Sequence, residues 1–258
     1  MTTPNIIFIV PYRNRENDKI HFDVYMKYLL EDLNTQDYEI YFSHQNDKRA
    51  FNRGAVKNIG FIAMRNKYPD TYKNITFVFN DIDILPIRKN MLNYNTTSGI
   101  IKHFYGFDYA LGGIFSITGE DFEKIKGFPN YWGWGWEDNV INNRCVENNI
   151  NIDRTNFYKI FDNRFVQTNY QDKKVLSNKR PNIRESANDN IDTIKNLDYI
   201  INDNFININN FNTIIPYENK FYIEDLKNIN SGIAYDKQSN IEIIKKKNHF
   251  RMNLGAMR

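Results

Sequence analysis

Apolar and polar positions follow two different periods along the first half of the chain. Asn5 to Val10 (NIIFIV) is an almost unbroken apolar run closed by Pro11, the pattern of a buried strand. Phe22, Tyr25, Met26, Leu29, Leu30 and Leu33 then recur at three- and four-residue steps and form the stripe of an amphipathic helix. Tyr38 to Ser43 (YEIYFS) predicts a second strand. Ala55 to Asn66 predicts a second helix, with Val56, Ile59, Ala63 and Met64 on one face, and Ile75 to Phe79 (ITFVF) a third strand. Strand, helix, strand, helix, strand is the order of a parallel α/β sheet. Gly112 to Ile117 reads as a further strand. Thr118-Gly119-Glu120-Asp121 reads as a helix start, with an acid three residues after a threonine cap, and that helix ends at Gly127. Asn130 to Trp136 (NYWGWGW) is a loop rich in glycine and tryptophan, and Glu137 to Asn148 carries Val140, Ile141, Cys145 and Val146 at helical spacing. From about Ser177 the sequence turns polar with mixed signals. The tract Asn202 to Asn212 (NDNFININNFN) reads as a surface segment whose asparagines reflect composition bias. There is no internal repeat.

Composition narrows the class. The 258 residues suit one large domain, or one domain with a small appendage. With 19 Phe and 17 Tyr the chain has apolar surface enough to exclude disorder over most of its length. The single cysteine, Cys145, excludes an internal disulfide framework. The run Ile6 to Val10 is far short of the roughly 20 residues of a spanning helix. It lacks a basic leader and is followed by Pro11 and Arg13, so it does not read as a signal peptide. Net charge is +3, a weak pointer to an anionic ligand. The basic tail Lys245 to Lys247 with Arg251 and Arg258 has few interleaved aromatics and reads as a solvated face, so nucleic acid is not an expected partner.

Three groups of residues carry chemistry. A parallel sheet binds ligands at the carboxyl ends of its strands, which brings Pro11 to Arg15 and Asp81 to Asp83 to one edge. In an extended Asp81-Ile82-Asp83 segment both carboxylates face the same way, toward one hard cation; a solvated turn is the competing reading. Arg13, Arg15 and Arg53 at strand ends suit the oxygens of a diphosphate, against surface salt bridging as the plainer alternative. The chain has neither a P-loop nor a dinucleotide-binding glycine motif, so a nucleotide would be held by charge and metal. All three tryptophans, Trp132, Trp134 and Trp136, fall within five residues beside Glu137 and Asp138. Such a loop reads as a sugar platform with a carboxylate base at a helix N-terminus; a plain hydrophobic plug is the alternative.

These segments together resemble a known family. Pro11-Tyr12-Arg13-Asn14-Arg15, Phe51-Asn52-Arg53-Gly54 with Asn58-Ile59-Gly60-Phe61, Asp81-Ile82-Asp83-Ile84-Leu85-Pro86, Gly112-Gly113, and Gly127-Phe128-Pro129-Asn130 through Trp134-Gly135-Trp136-Glu137-Asp138 occur in the order found in the β1,4-galactosyltransferases, glycosyltransferase family seven. The resemblance covers about residues 5 to 155. It implies a GT-A fold: an α/β, mostly parallel sheet flanked by helices, with a catalytic core over 1–175 and a segment over 176–258 that completes it or is appended to it. It implies an inverting transfer of galactose or N-acetylgalactosamine from a UDP-sugar donor to a glycan or glycoconjugate acceptor, with Mn2+ or Mg2+. Pro11, Arg13, Arg15, Phe51, Arg53, Asp81 and Ile82 would bind the donor nucleotide and Asp83 the metal. Gly113, Tyr131, Trp134 and Glu137 would contact sugar, and Asp138 would be the catalytic base.

Three positions depart from the family pattern. The segment Phe165 to Tyr170, where members supply a histidine to the metal, has none; Gln167 and Asn169 offer amide oxygens, and His249 is the only histidine downstream. Asn139 replaces a third acid after Glu137-Asp138. Ala110 stands where vertebrate members carry a tyrosine, which leaves room for an N-acetyl group on the donor. The missing histidine keeps a second reading open, a UDP-sugar or glycan-binding protein without turnover. Eukaryotic members are typically anchored in the Golgi by a membrane helix and often carry disulfides. The single cysteine and the absence of a spanning run therefore read as a stripped catalytic domain in a bacterial or viral cytoplasm.

Overall fold

The computed structural model describes residues 3–132, 135–168 and 188–217. Strand β1 (Ile6–Tyr12) is followed by helix α1 (Glu16–Leu29), β2 (Tyr38–Gln45), α2 (Arg53–Lys67), β3 (Thr76–Asn80) and the short β4 (Ile84–Pro86). Next come β5 (Ile100–Gly106), β6 (Ile114–Thr118), α3 (Gly119–Lys124) and α4 (Glu137–Glu147). The described chain ends with β7 (Asn151–Asp153), β8 (Tyr158–Lys159), β9 (Phe165–Gln167), β10 (Lys195–Asn202) and β11 (Phe205–Asn212). Nine strands form one sheet in the order β10-β11-β2-β1-β3-β6-β5-β7, with β8 also paired to β5; β4 and β9 make a separate antiparallel ribbon.

The central strands run parallel and in register, Ile6 lying between Tyr38 and Thr76. Alternate residues of β1 feed opposite faces, as the period of two requires. Ile7 and Ile9 join Phe77, Phe79, Phe115 and Ile117 in a core that α2, α3 and α4 cover. Ile6, Phe8 and Val10 join Phe42, Val78 and Ile114 under α1 and the β4 ribbon. Helix α2 shows which force wins. It contains Gly54 and Gly60, each about 1 kcal/mol less favourable than alanine in a helix. A Cβ on Gly54 would lie 2.0 Å from the Pro129 carbonyl oxygen, and one on Gly60 2.6 Å from Ile9 Cγ2. Close approach buries Val56, Ile59, Phe61 and Met64, at about 1.5–3 kcal/mol for each large apolar side chain, so packing outweighs propensity.

Local expectations and structure differ at three places. The first helix starts at Glu16 and stops at Leu29, which leaves Leu33 beyond it and 39% exposed. The sheet is mixed, because β6 inserts antiparallel between β3 and β5. The asparagine tract is not a surface segment but strand β11. It lies parallel to β2 with Phe205 opposite Phe42, and Ile206, Ile208 and Phe211 are fully buried. Its asparagines occupy other positions along the strand, and Asn207 meets His44 Nδ1 at 2.9 Å.

Candidate active site

The threonine cap is as expected: Thr118 Oγ1 accepts from the Asp121 amide and opens α3. The cap of α2 matters more, because it aims an arginine. Asn52 Oδ1 accepts from Ala55 N at 2.9 Å, while its Nδ2 donates to the Asn130 carbonyl at 2.9 Å. Those bonds tie the start of α2 to the loop before α4 and set Arg53 across the carboxyl edge of the sheet. Arg53 Nη2 donates to Asp81 Oδ1 at 2.6 Å, past the end of β3. Its Nη1 donates to Asp138 Oδ2 at 2.9 Å and also to Glu137, both in the first turn of α4. One helical turn on, Lys57 Nζ stands 3.3 Å from Asp138 Oδ1 and 3.9 Å from Asp81 Oδ1, above the Phe128 ring.

Two cations thus meet three carboxylates in a largely dry place. The side chains of Lys57, Glu137 and Arg53 are 1%, 2% and 9% exposed, while Asp81 and Asp138 reach solvent at 17% and 21%. Burial works against the Arg53 charge, but Asp138, Asp81 and Glu137 together hold its proton well above the ordinary guanidinium range. Burial, then the neighbouring Asp138, raises the Glu137 carboxyl against the pull of Arg53 and Lys57. Of the three acids, Asp138 is the most open, and Arg53 and Lys57 each approach a different one of its two oxygens.

The glycine pair closes this cluster. A Cβ on Gly112 would lie 2.3 Å from Asp138 Oδ2 and 2.8 Å from its Cγ, so glycine lets the backbone before β6 run against that carboxylate. Gly113 sits at φ +70°, a left-handed value suited to glycine, and its carbonyl accepts from Asp81 N at 3.0 Å. His103 supports the turn from below. Arg154 Nε donates to its Nδ1 at 3.0 Å, which leaves Nε2–H to donate to the Gly112 carbonyl at 3.0 Å. Burial, and then Arg154, lower this imidazole to about 4, so it is neutral at ordinary pH.

A second cluster lies beside the first. Arg15 Nη1 contacts Asp83 Oδ2 and Asp18 Oδ2 at 3.1 Å each. Asp18 Oδ1 accepts from Thr168 Oγ1 at 2.7 Å, and Thr168 N donates to the Asp83 carbonyl at 3.1 Å. Asp81 and Asp83 therefore do not face one point as an extended segment would have them. The Asp81 carbonyl accepts from Ile84 N at 3.1 Å, closing a turn that buries Ile82 and sends the two carboxylates to different arginines.

The remaining expected residues fall as follows. Pro11 is buried in β1 opposite Ser43. Arg13 Nη2 donates to the Asp47 carbonyl at 3.0 Å, and Nη1 to that of Arg49, so it braces the loop after β2. Phe51 is half-buried against the α2 core. Tyr131 is buried at 7% exposure. Trp132 is no sugar platform: it stacks on Phe211 at 5.3 Å, and its Nε1 donates to the Ile215 carbonyl at 2.9 Å. Here the hydrophobic plug is the correct reading, because β11 supplies a flat apolar partner. Gln167 Oε1 accepts from Tyr105 Oη at 3.2 Å. Trp134, Asn169 and His249 lie outside the described residues. Sequence reasoning missed Lys57, His103 and the buried Asn130–Asp189 pair at 2.7 Å. A lysine one residue from Val56, in a helix apolar on that side, was the available signal for the first.

Comparison with known proteins gives a consistent picture. A family model described as the N-terminal region of glycosyl transferase group 7 matches residues 1–96. One described as the N-terminal domain of galactosyltransferase matches residues 100–167. The human β-1,4-galactosyltransferase 1 is 34% identical over 163 residues, which cover 58% of this chain and 39% of the human protein. A xylosylprotein 4-β-galactosyltransferase of Caenorhabditis elegans is 30% identical over 155 residues, 57% of this chain and 52% of the relative. The chain thus spans about two-fifths to half the length of these relatives. The catalytic domain of Drosophila β1,4-galactosyltransferase 7, solved with xylobiose, superposes with a TM-score of 0.65 at 23% identity, over 80% of this chain and 94% of that one. A mutant of the Drosophila enzyme, solved with manganese, UDP-Gal and xylobiose, gives 0.63 at 22% identity, over the same shares. These relatives are animal enzymes, which overturns the expectation of a bacterial or viral cytoplasmic protein. Among the described residues no helix is long and apolar enough to cross a membrane.

Proposed function

Because the chain belongs to glycosyltransferase family seven, the group of the β1,4-galactosyltransferases, we propose that it moves galactose or N-acetylgalactosamine from a UDP-sugar to a hydroxyl of a glycan acceptor with inversion. The observation that carries this is the Asp138 carboxylate: the most accessible acid of a buried charge cluster, at the first turn of α4, against the Gly112-Gly113 turn. An ionised acid there takes the acceptor proton as the oxygen attacks the anomeric carbon. The anomeric carbon–oxygen bond breaks, its electron pair leaves on the UDP phosphate, and no covalent intermediate is required. Arg15 and Arg53, with Arg13 beside the first strand, would offset the charge of the departing diphosphate, and Asp81 and Glu137 hold Arg53 in place. Gly113, Tyr131, Trp134 and Glu137 are proposed as the sugar contacts, and Ala110, buried behind the glycine turn, leaves donor choice open between galactose and its N-acetylamine.

A divalent cation belongs to the proposal, and manganese accompanies UDP-Gal in the Drosophila complex. Asp83 fits it: its carboxylate is 10% exposed and already faces a positive group, Arg15. The described residues hold no group of three His, Cys, Asp or Glu suited to a metal, so Asp83 and amide or water oxygens would form a hard site open to Mn2+ or Mg2+. When bound, the cation would offset diphosphate charge. The test is UDP release from UDP-Gal and UDP-GalNAc over an acceptor panel with Mn2+, in the wild type and in Asp138→Asn. The variant is expected to fold, with a lowered melting temperature because Lys57 and Arg53 lose a counter-charge, and to lose at least 100-fold in kcat, about the range of general-base catalysis; full activity would remove Asp138 from the base role. A second reading, binding without turnover, is favoured by the lack of histidine in Phe165 to Tyr170. Calorimetric UDP binding with no transfer to any acceptor would select it.

A further inference from the structure

Lys57 is the one member of the charge cluster for which the reaction just described has no use. It is 1% exposed, yet it sits mid-helix in α2 between residues that build the core. Placing an ammonium there is expensive unless it meets compensating charge, and an apolar side chain of equal length would pack on Phe128 without that cost. The compensation it finds is specific. Lys57 Nζ approaches Oδ1 of Asp138 at 3.3 Å, while Arg53 takes Oδ2 at 2.9 Å. Each carboxylate oxygen thus has its own cationic donor, from two positions four residues apart on one helix face. A carboxylate held at both oxygens has one orientation instead of a free rotation about its last bond.

We propose that Lys57 is a positioning residue for the transfer reaction, holding the Asp138 carboxylate ionised and in a single orientation. The inference rests on Asp138 being the base. Every charged group around Asp138 enters the balance. Arg53 and Lys57 come from α2, and Asp81 from the turn after β3 lies 3.9 Å from the same ammonium. Glu137 is the preceding residue in α4, and His103 behind Gly112 is neutral. Against two neighbouring carboxylates, a single arginine shared among three acids leaves Asp138 under-compensated. The second cation gives Asp138 a positive group at its other oxygen.

Two substitutions test this, Lys57→Met, which keeps length and apolar packing, and Lys57→Arg, which keeps charge. The readout independent of turnover is the 13C titration of the Asp138 carboxyl, assigned by its loss in Asp138→Asn. In Lys57→Met the midpoint is expected to rise by about one pH unit or more, and in Lys57→Arg to stay near the wild type. In the active enzyme the acid limb of kcat/KM is expected to move up by the same amount in Lys57→Met, with kcat falling more than tenfold and KM for the UDP-sugar within threefold. An unchanged carboxyl midpoint in a folded Lys57→Met overturns the inference. So does a loss confined to KM, which would place Lys57 with Asp81 and the donor. If Lys57→Met does not fold, a carboxyl midpoint in Lys57→Arg displaced as far as about one unit overturns it instead, and a wild-type midpoint there upholds it. Absence of transfer by the wild type would count against the proposed function, while the carboxyl titration would still decide the role of Lys57.

Discussion

Arg53 serves three carboxylates at once, and this concentrates much of the site's stability in one side chain. Removing it leaves Glu137, 2% exposed, and Asp81 with Lys57 as the remaining close cation of the cluster. Arg53→Met is therefore expected to lower unfolding free energy by about 3–5 kcal/mol, the usual result of breaking a buried pair from one side; urea denaturation at pH 7 measures it. The imidazole of His103 gives a second residue-level expectation, in pH. Its folded value of about 4 lies below the usual 6.5, so the native state refuses a proton that the unfolded chain accepts. The contribution is intact above about pH 6.5 and is lost as pH falls toward about 4, a difference on the order of 3 kcal/mol from this group. Denaturant midpoints at pH 7 and pH 5 are expected to differ less in His103→Gln than in the wild type.

At the scale of elements, the loop before α4 is held from outside the matched family segments. Trp132 stacks on Phe211 of β11, and the Arg49 guanidinium stands 4.6 Å from the Trp132 ring and 4.5 Å from that of Phe211. Asn130 is fixed by Asp189, whose carboxyl burial keeps above the ordinary range although Asn130 and Thr193 donate to it. Strand β11 and the turn at Asp189 thus support the loop that leads into Glu137 and Asp138. Phe211→Ala is expected to cost about 3–5 kcal/mol by opening a cavity beside Trp132. It is also expected to lower kcat, because the support of the loop is loosened. Calorimetric melting and UDP-release kinetics on the same preparation check both parts.

For the whole molecule, the question is how far the catalytic unit extends. We propose that residues 188–217 are integral to it, since β11 pairs with β2 and Ile206, Ile208 and Phe211 belong to the core under α2. A chain cut after residue 175 would uncover that core and the β2 edge, an aggregation-prone arrangement. It is expected to be insoluble or to elute as aggregate on gel filtration where the full chain elutes as a defined species. A soluble, folded and active 1–175 fragment would show that the sheet tolerates the loss of that edge.

Much of this could be read along the chain, for a local reason. An unbroken apolar run such as Asn5 to Val10 marks a strand covered on both faces, the three-four spacing from Phe22 to Leu29 states which side of a helix is apolar, and the helix cap at Thr118 satisfies a donor three residues away. The position of Arg15 and Asp83 at one edge followed as well, because alternating strands and helices bring strand ends together. What the sequence could not contain was the choice among partners brought together from afar. Asp81 and Asp83 are two residues apart, yet a turn sends one to Arg53 and the other to Arg15. Trp132 is buried because Phe211 arrives beside it, and the Asn-rich tract is a strand because β2 offers it an edge. Lys57 carries its charge in the interior only because Asp138, 81 residues later, is within reach. Hydrophobic period is a property of neighbours in the chain, whereas ion pairing and stacking act over about 4–5 Å of space, and only the folded sheet decides which groups come that close.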